Sequence, residues 1–584
     1  MQTHDKPPNP SPMALLAAFV IPLLVVCALC WPMPLQPGSV WNPSLFGASH
    51  AWLGDHLWHA ISGGEPLHQT LRAGYPWERS GHFIGWLPLL AMLPLQPLVG
   101  AIASFHIAEL LALPLSSLAA WPLLRRWSKA GPWSVAAGCV AFALCPFALG
   151  TLSSGELPKL CTGLLPLFLY ALDRALRDER GWAWAGAAAA LATITGFTSP
   201  YFGLIIPLLT LGMVAADVWR RRRLLWPAVC GAAAAAGLAP VALYFRGLRQ
   251  PMVASLYMPA QTGGRQPTLP IPHPAASLQD LLLGLPLDPA TAWDMRHVAY
   301  LGSLLLVVLA ILAWRQRGEG RGRGRGRGAA LTLLIAGALM SLGPWLYLDQ
   351  ELWEVPLPAL ILAKLRYPLA TGGMYYRLAV MGSLGLALWL VVECARRPRL
   401  AWLLLSIQLG DSLRASGPWP LGAVPVPGAR VLAELQGDDG AILNLPFDDG
   451  LVPSQQALLL AAIHGRPTTA LPRILLPAEQ AVLRPLWGQA LSAEDAPAAL
   501  RALGIRYVLC QNGDLTVEAN VTRQLGEPTH HEGLLVVWDV GPTTLVRRPL
   551  EQLTHPARTV PNKKRRPRAA RGKAPAGPPS KPRR

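Results

Sequence analysis

Apolar runs long enough to cross a bilayer alternate with short polar gaps from Met13 to Asp411. A spanning helix needs about 20 mostly apolar residues, and somewhat shorter ones occur. Such runs fall near 13–31, 102–124, 131–150, 158–174, 182–198, 201–218, 224–245, 297–314, 329–347, 374–393 and 399–412. Basic residues gather in every second gap: 125–129, 174–180, 220–223, 315–327 and 396–399. The gaps between, 151–158, 196–201, 246–296 and 349–373, are poorer in them. Loops rich in Lys and Arg stay on the cytoplasmic side. The pattern therefore predicts an α-helical polytopic membrane protein of about 11 transmembrane helices, with residues 1–12 cytoplasmic and a transmembrane domain over 13–412.

One stretch departs from the ladder. If Arg125 lies inside, only one crossing fits between 32 and 124, yet 84–99 is also apolar. Pro88, Pro94 and Pro97 interrupt it, and proline breaks a regular helix. This segment is expected to be interfacial or re-entrant. Residues 32–82 then form a long first outer loop. From His50 to Ile61 apolar residues recur at three- and four-residue steps, which predicts a short amphipathic helix on the membrane with Trp52 and Trp58 at headgroup level.

Polarity changes after Asp411. Residues 413–545 read as a small α/β extracytoplasmic domain: buried strands at 440–446, 504–510 and 533–538, helices at 455–464 and 495–503, and an acidic turn at Phe447–Gly450. Residues 546–584 form a basic tail with almost nothing to bury, so disorder is expected. The tail also disposes of a nucleic-acid reading. The net charge is +18, but 11 Lys and Arg and no acid lie between Ala557 and Arg584. The Arg-Gly run 321–327 fills a gap between spanning runs and reads as a flexible linker. With 52% hydrophobic and 14% charged residues, the chain is too apolar for an ordinary soluble protein. Seven of eight cysteines lie in or beside apolar runs, so no disulfide framework is indicated.

Sorting charges by side leaves a small candidate set on the outer face. Asp55 opens the polar side of the amphipathic helix, and an acid there can deprotonate an acceptor hydroxyl or hold a metal that does so. His56 and His59 beside it have ligand spacing but also fit a structural role. Glu156 and Lys159 bring a carboxylate and an ammonium to the second outer gap, where a helix cap from Ser153 or Ser154 is the plainer reading. Lys364, Arg366 and Arg377, interleaved with Tyr375 and Tyr376, can grip a lipid-linked phosphate or simply anchor the interface. Asp448 and Asp449 can bind a metal or make a turn. No cofactor is called for, and nothing assigns an oligomeric state.

Several motifs point further. These are Gly54-Asp55 in a long first loop, Leu87-Pro-Leu-Leu with Leu93-Pro-Leu, Leu123-Leu-Arg-Arg126, Phe142-Ala-Leu-Cys-Pro146, Arg366-Tyr-Pro and Tyr376-Arg377. Downstream come Ile442-Leu-Asn-Leu-Pro446, His464-Gly-Arg-Pro467 and Leu503-Gly-Ile-Arg-Tyr-Val508. Together they resemble the bacterial GT-C-type glycosyltransferase-like membrane proteins, including uncharacterised groups of the YfhO type. The resemblance implies sugar transfer from a polyprenyl-phosphate donor at the outer face of the cytoplasmic membrane. Asp55 would be its catalytic residue, with Glu156 assisting. Lys159, Lys364, Arg366, Tyr376 and Arg377 would bind substrate, with membrane lipids and the lipid-linked sugar as partners. The first loop has no Asp-x-Asp or Glu-Asp pair, which departs from the metal-binding pattern. A transporter or flippase of a lipid-linked substrate and a non-catalytic scaffold are the alternative readings.

Overall fold

The computed structural model describes residues 11–546 and 548–549, except 43, 45, 65–68, 71, 81–84, 86, 179, 223, 248–277, 284–298, 316–323, 349–350, 365–374, 418, 427, 438, 447–450, 471–484 and 512–513. The acidic turn at 447–450, Arg366 and nearly all of the basic tail lie outside the described residues.

Apolar runs become helices because a helix satisfies every backbone N–H and C=O within itself where water is absent. Helices are α1 (Pro12–Leu29), α2 (Gly47–Gly63), α3 (Gln96–Ser128), α4 (Pro132–Ala143), α5 (Pro146–Ser154), α6 (Leu157–Leu160) and α7 (Leu164–Arg177). They continue with α8 (Gly181–Thr198), α9 (Pro200–Arg221), α10 (Leu225–Gly247), α11 (Leu278–Leu283), α12 (Ser303–Arg315) and α13 (Gly324–Ser341). Then come α14 (Ala359–Lys364), α15 (Ala379–Glu393), α16 (Pro398–Ser416), α17 (Ala429–Glu434), α18 (Leu451–His464), α19 (Ala496–Ala502) and α20 (Leu515–Leu525). Helical structure occupies part or all of each of the 11 expected runs (about 11 by length). Among the described residues, 5 helices are long and apolar enough to cross a membrane, or 6 if the bent pair α4–α5 counts as one span. The protein is an apolar-helix membrane protein on this ground.

Three local differences have physical causes. The run 329–347 does not stay helical. Gly343, at φ +77°, and Pro344 end the helix, and Trp345–Leu348 (β4) pairs antiparallel with Glu351–Pro356 (β5). The Arg-Gly run is not wholly a linker, because Gly324 begins α13 and Arg327 holds Glu393 by two contacts of 2.7 Å. The amphipathic helix is longer than the periodicity indicates and is not an isolated surface element. Ala48, Ala51, Trp52, Asp55, His56 and Leu57 of α2 are all buried, and Trp52 packs with Ala457, Leu458 and Ala461 of α18 rather than standing at headgroup level. Its polar-looking face is covered by chain some 400 residues away (roughly the span between the two helices), which no local period can report. The stretch after 84 holds a 3-10 turn at Leu87–Ala91, and α3 breaks at Gly100.

The later part of the chain contains a mixed four-stranded sheet, Ala441–Leu445 (β7), Ile505–Cys510 (β8), His530–Glu532 (β9) and Leu535–Asp539 (β10), in the order β7-β8-β10-β9. β7 and β8 are parallel, and β8–β10 and β10–β9 are antiparallel. Continuous apolar runs suit β7 and β8 because both faces are covered.

This region is stitched to the first loop. Val40–Trp41 (β1) pairs with Val424–Pro425 (β6), and Trp77–Ser80 (β3) pairs with Gln69–Thr70 (β2) and with Arg548–Pro549 (β11). The amides of Gly74 and Tyr75 donate to the carbonyls of Ala470 and Thr468, and the Tyr75 hydroxyl accepts from Val546 N–H at 2.7 Å.

Candidate functional site

Two polar centres lie along α2. The first is a cleft of about 530 Å3. Asp55, Trp58 and His59 of α2, Gln96 of α3 and His464 and Gly465 after α18 are among its lining residues. Asp55 Oδ2 lies 3.3 Å from Arg72 Nη1, and Asp55 Oδ1 lies 3.6 Å from His59 Nε2, one helical turn on. Arg72 also donates from Nη2 to the Gly465 carbonyl at 2.6 Å. One guanidinium thus ties the loop acid to the distal region.

His464 sits in the same wall and is fully buried. Burial, with the Arg72 and Arg466 guanidiniums nearby, pushes its imidazole down to about 3, so it is neutral at physiological pH. His56, by contrast, stacks on Trp52 with ring centroids 5.7 Å apart.

The second centre lies at the start of α2. Gly155, at φ +69°, closes α5 in the left-handed region, and a Cβ there would lie 2.4 Å from Ser44 Oγ and 2.8 Å from Gly47 N. The glycine allows this close approach, and Phe46 N–H donates to the Ser154 carbonyl at 2.9 Å. The serine side chains turn back to Gly150 and Thr151, so the expected helix cap is not made. Glu156 instead pairs with Lys159. The Arg377 guanidinium carbon lies 3.4 Å from the centre of the Tyr201 ring, its Nε donates to the Tyr376 hydroxyl at 3.2 Å, and Lys159 Nζ is 5.5 Å from the same Tyr201 ring.

Burial alone would raise the Glu156 carboxyl. Lys159 and Arg377, with a smaller contribution from His50, outweigh it and hold the group below its ordinary value. Burial pushes the His50 imidazole down, and its Nδ1–H donates to the Phe46 carbonyl at 2.9 Å, leaving Nε2 as an acceptor. Glu156 Oε2 and Arg377 Nη1 are buried and have no hydrogen-bond partner.

Glu156, Lys159, Tyr376 and Arg377 therefore come together. Asp55 does not join them. It lies five residues beyond His50, roughly 7.5 Å further along the helix axis and on a different face. The two carboxylates have separate partners rather than opposing each other. Lys364 is exposed at the end of α14. Arg72, His50, Tyr201 and His464 were not assigned from sequence. Only His464 carried a signal, as part of a quoted motif. Asp55 faces a guanidinium, and no group of three His, Cys, Asp or Glu side chains gathers among the described residues.

Comparison with known proteins agrees with this architecture. A family described as Domain of unknown function (DUF6311) matches residues 19–412. No curated protein sequence matches the chain. Among solved structures, the mycobacterial arabinofuranosyltransferase AftD superposes with a TM-score of 0.52 at 17% identity, over 91% of this chain and 40% of AftD. An Archaeoglobus fulgidus oligosaccharyltransferase gives a TM-score of 0.42 at 10% identity, over 85% of this chain and 68% of that one. ArnT from Cupriavidus metallidurans, solved bound to undecaprenyl phosphate, gives 0.38 at 12% identity, over 91% and 99%. At such identities the likeness concerns fold alone, and this chain spans about 40% of the length of AftD. The chain belongs to the DUF6311 family and is a membrane protein with the GT-C glycosyltransferase-like fold.

Proposed function

We propose that the protein transfers a glycosyl unit from a polyprenyl-phosphate donor to an acceptor hydroxyl at the outer face of a bacterial cytoplasmic membrane. The observation that carries this is Arg377. It is a buried guanidinium stacked on Tyr201, with Nη1 unpartnered, beside a Glu156–Lys159 pair that also leaves a carboxylate oxygen open. A buried guanidinium that keeps an N–H group open is costly unless an anion joins it. A donor phosphate supplies that anion, and Arg recognises phosphate oxygens through paired N–H groups.

In this reading the chain crosses the membrane about 11 times, with 32–82 and 413–545 outside. Lys159 and Arg377 hold the donor phosphate. Glu156 keeps both cations in place, and Lys364 extends the basic edge toward lipid headgroups, with Arg366 two residues on in the sequence adding a further positive charge. Asp55, oriented by Arg72, takes the acceptor hydroxyl proton as the acceptor oxygen attacks the anomeric carbon. The bond from that carbon to the phosphate oxygen breaks, and the polyprenyl phosphate leaves with the electron pair. The GT-C-like fold shared with AftD, an arabinofuranosyltransferase, supports the reaction class.

The test uses the full chain in membrane vesicles with a panel of radiolabelled polyprenyl-phosphate-linked sugars. Transfer that Asp55→Asn lowers by about 100-fold or more is expected, the usual scale for losing a general base. Transfer that is indifferent to Asp55→Asn sinks the assignment.

A further inference from the structure

His464 has a determinable tautomer. The backbone N–H of Arg466 donates to His464 Nδ1 at 3.1 Å, so Nδ1 is the acceptor nitrogen. The proton of the neutral ring therefore sits on Nε2. That Nε2–H is buried and has no hydrogen-bond partner, in a residue that lines the Asp55 cleft. A second unpartnered donor lines the same cleft, the side-chain amide nitrogen of buried Gln96. Buried donors left unmade cost about 1–3 kcal/mol each, and a native site carries such a cost where a ligand meets it.

The charged side chains around the cleft are engaged with one another. Asp55 faces Arg72, and Arg466 faces Asp439 at 2.7 Å and donates to the Gly440 carbonyl at 3.2 Å. Two neutral donors, a carboxylate acceptor and the indole of Trp58 lining one cleft match a sugar rather than a phosphate, which the carboxylate would repel.

We propose that His464 is a specificity-determining ligand contact: its Nε2–H donates to an oxygen of a neutral, polyhydroxylated carbohydrate held in the cleft against Asp55, with the Gln96 amide as the second donor. This rests on the reading of the cleft as the acceptor side of a glycosyl transfer, and it names the acceptor's chemical class. The phosphate is recognised at the other end of α2. Because His464 presents N–H and not a lone pair, it orients the ligand and takes no proton.

The test is binding without donor. The full chain, purified in a detergent lacking a sugar headgroup, is applied to a printed panel of neutral oligosaccharides with phosphorylated oligosaccharides alongside. Retention of neutral glycans is expected, weakened about tenfold in His464→Phe, the scale of one hydrogen bond. His464→Gln, which keeps an N–H of similar reach, regains most of it. Gln96→Leu weakens binding similarly and carries the test if His464→Phe does not fold. Retention of phosphorylated glycans alone, retention of none, or neutral binding unchanged in these variants overturns the proposal. Neutral-glycan binding that persists while vesicles show no transfer overturns the transferase reading and leaves this ligand class standing.

Discussion

The two ends of the helical bundle use the same residue types to opposite effect. At the end bearing the basic gaps, charges close on one another. Arg126 spans Asp173 at 2.5 Å and Asp178 at 2.7 Å, Arg177 meets Asp173 at 3.1 Å, and Arg174 pairs with Asp178. Glu393 receives Arg327 on both oxygens and the Trp389 indole N–H at 2.9 Å. At the other end, Arg377 stacks on a tyrosine and keeps a buried nitrogen open, and Glu156 keeps a buried oxygen open. A closed set of ion pairs fastens helices. An open set waits for a partner that the chain does not supply.

The sharpest way to break this contrast is to remove one charge from each end. Glu393→Gln strands Arg327 beside a buried amide, and losing one partner of a buried pair costs about 3–5 kcal/mol. A large drop in thermal midpoint and in yield is expected, with the turnover of the surviving protein unchanged. If the variant melts like the parent, the closed end is not a fastening.

Arg377→Gln should behave the other way round. A cation that is short of anions contributes little to folding, so the midpoint should shift by a few degrees at most. Transfer should fall about 10- to 100-fold, through weaker donor binding and through the transition state. A variant that unfolds but, once stabilised, transfers normally would erase the distinction between the ends.

Acid provides the mildest lever. His464 is held at about 3 in the folded protein, while the unfolded chain titrates at the ordinary 6.5. Between these values the unfolded state binds more protons, so stability rises with pH across this window and falls on acidification from 6.5 toward 3. Glu156 is shifted down from 4.5, so the stability it contributes is present above that value and is lost at more acidic pH. Thermal midpoints measured across the range should slope below pH 6.5 in the parent and flatten between 6.5 and 4.5 in His464→Gln. An unchanged slope in that variant would place the titrating group elsewhere.

The bundle was legible in sequence because apolar length and the placement of Arg and Lys are local properties. Glu156, Lys159, Tyr376 and Arg377 were legible as outer-face charges for the same reason, although their convergence was not. The Asp55 cleft was hidden because its other half lies in the distal region. Arg72 looks like any loop arginine until the Gly465 carbonyl is found at the end of its guanidinium. The periodicity of α2 misled for a related reason: Trp52 is apolar toward a helix, α18, rather than toward lipid. In the run 329–347 apolar content favoured a span throughout, whereas Gly343 and Pro344 ended the helix and gave its last residues to a hairpin.

The stitch from Arg72 to Gly465 also sets a clock. The two residues are 393 positions apart. At 5–20 residues per second, a ribosome that has made Arg72 takes roughly 20 to 80 seconds to reach its partner. During that interval the membrane helices can insert one after another, while the wall around Asp55 stays unbuilt. A chain that stalls before residue 465 would thus carry most of its membrane domain and no completed cleft. Competence would be the last property the protein acquires during its own synthesis.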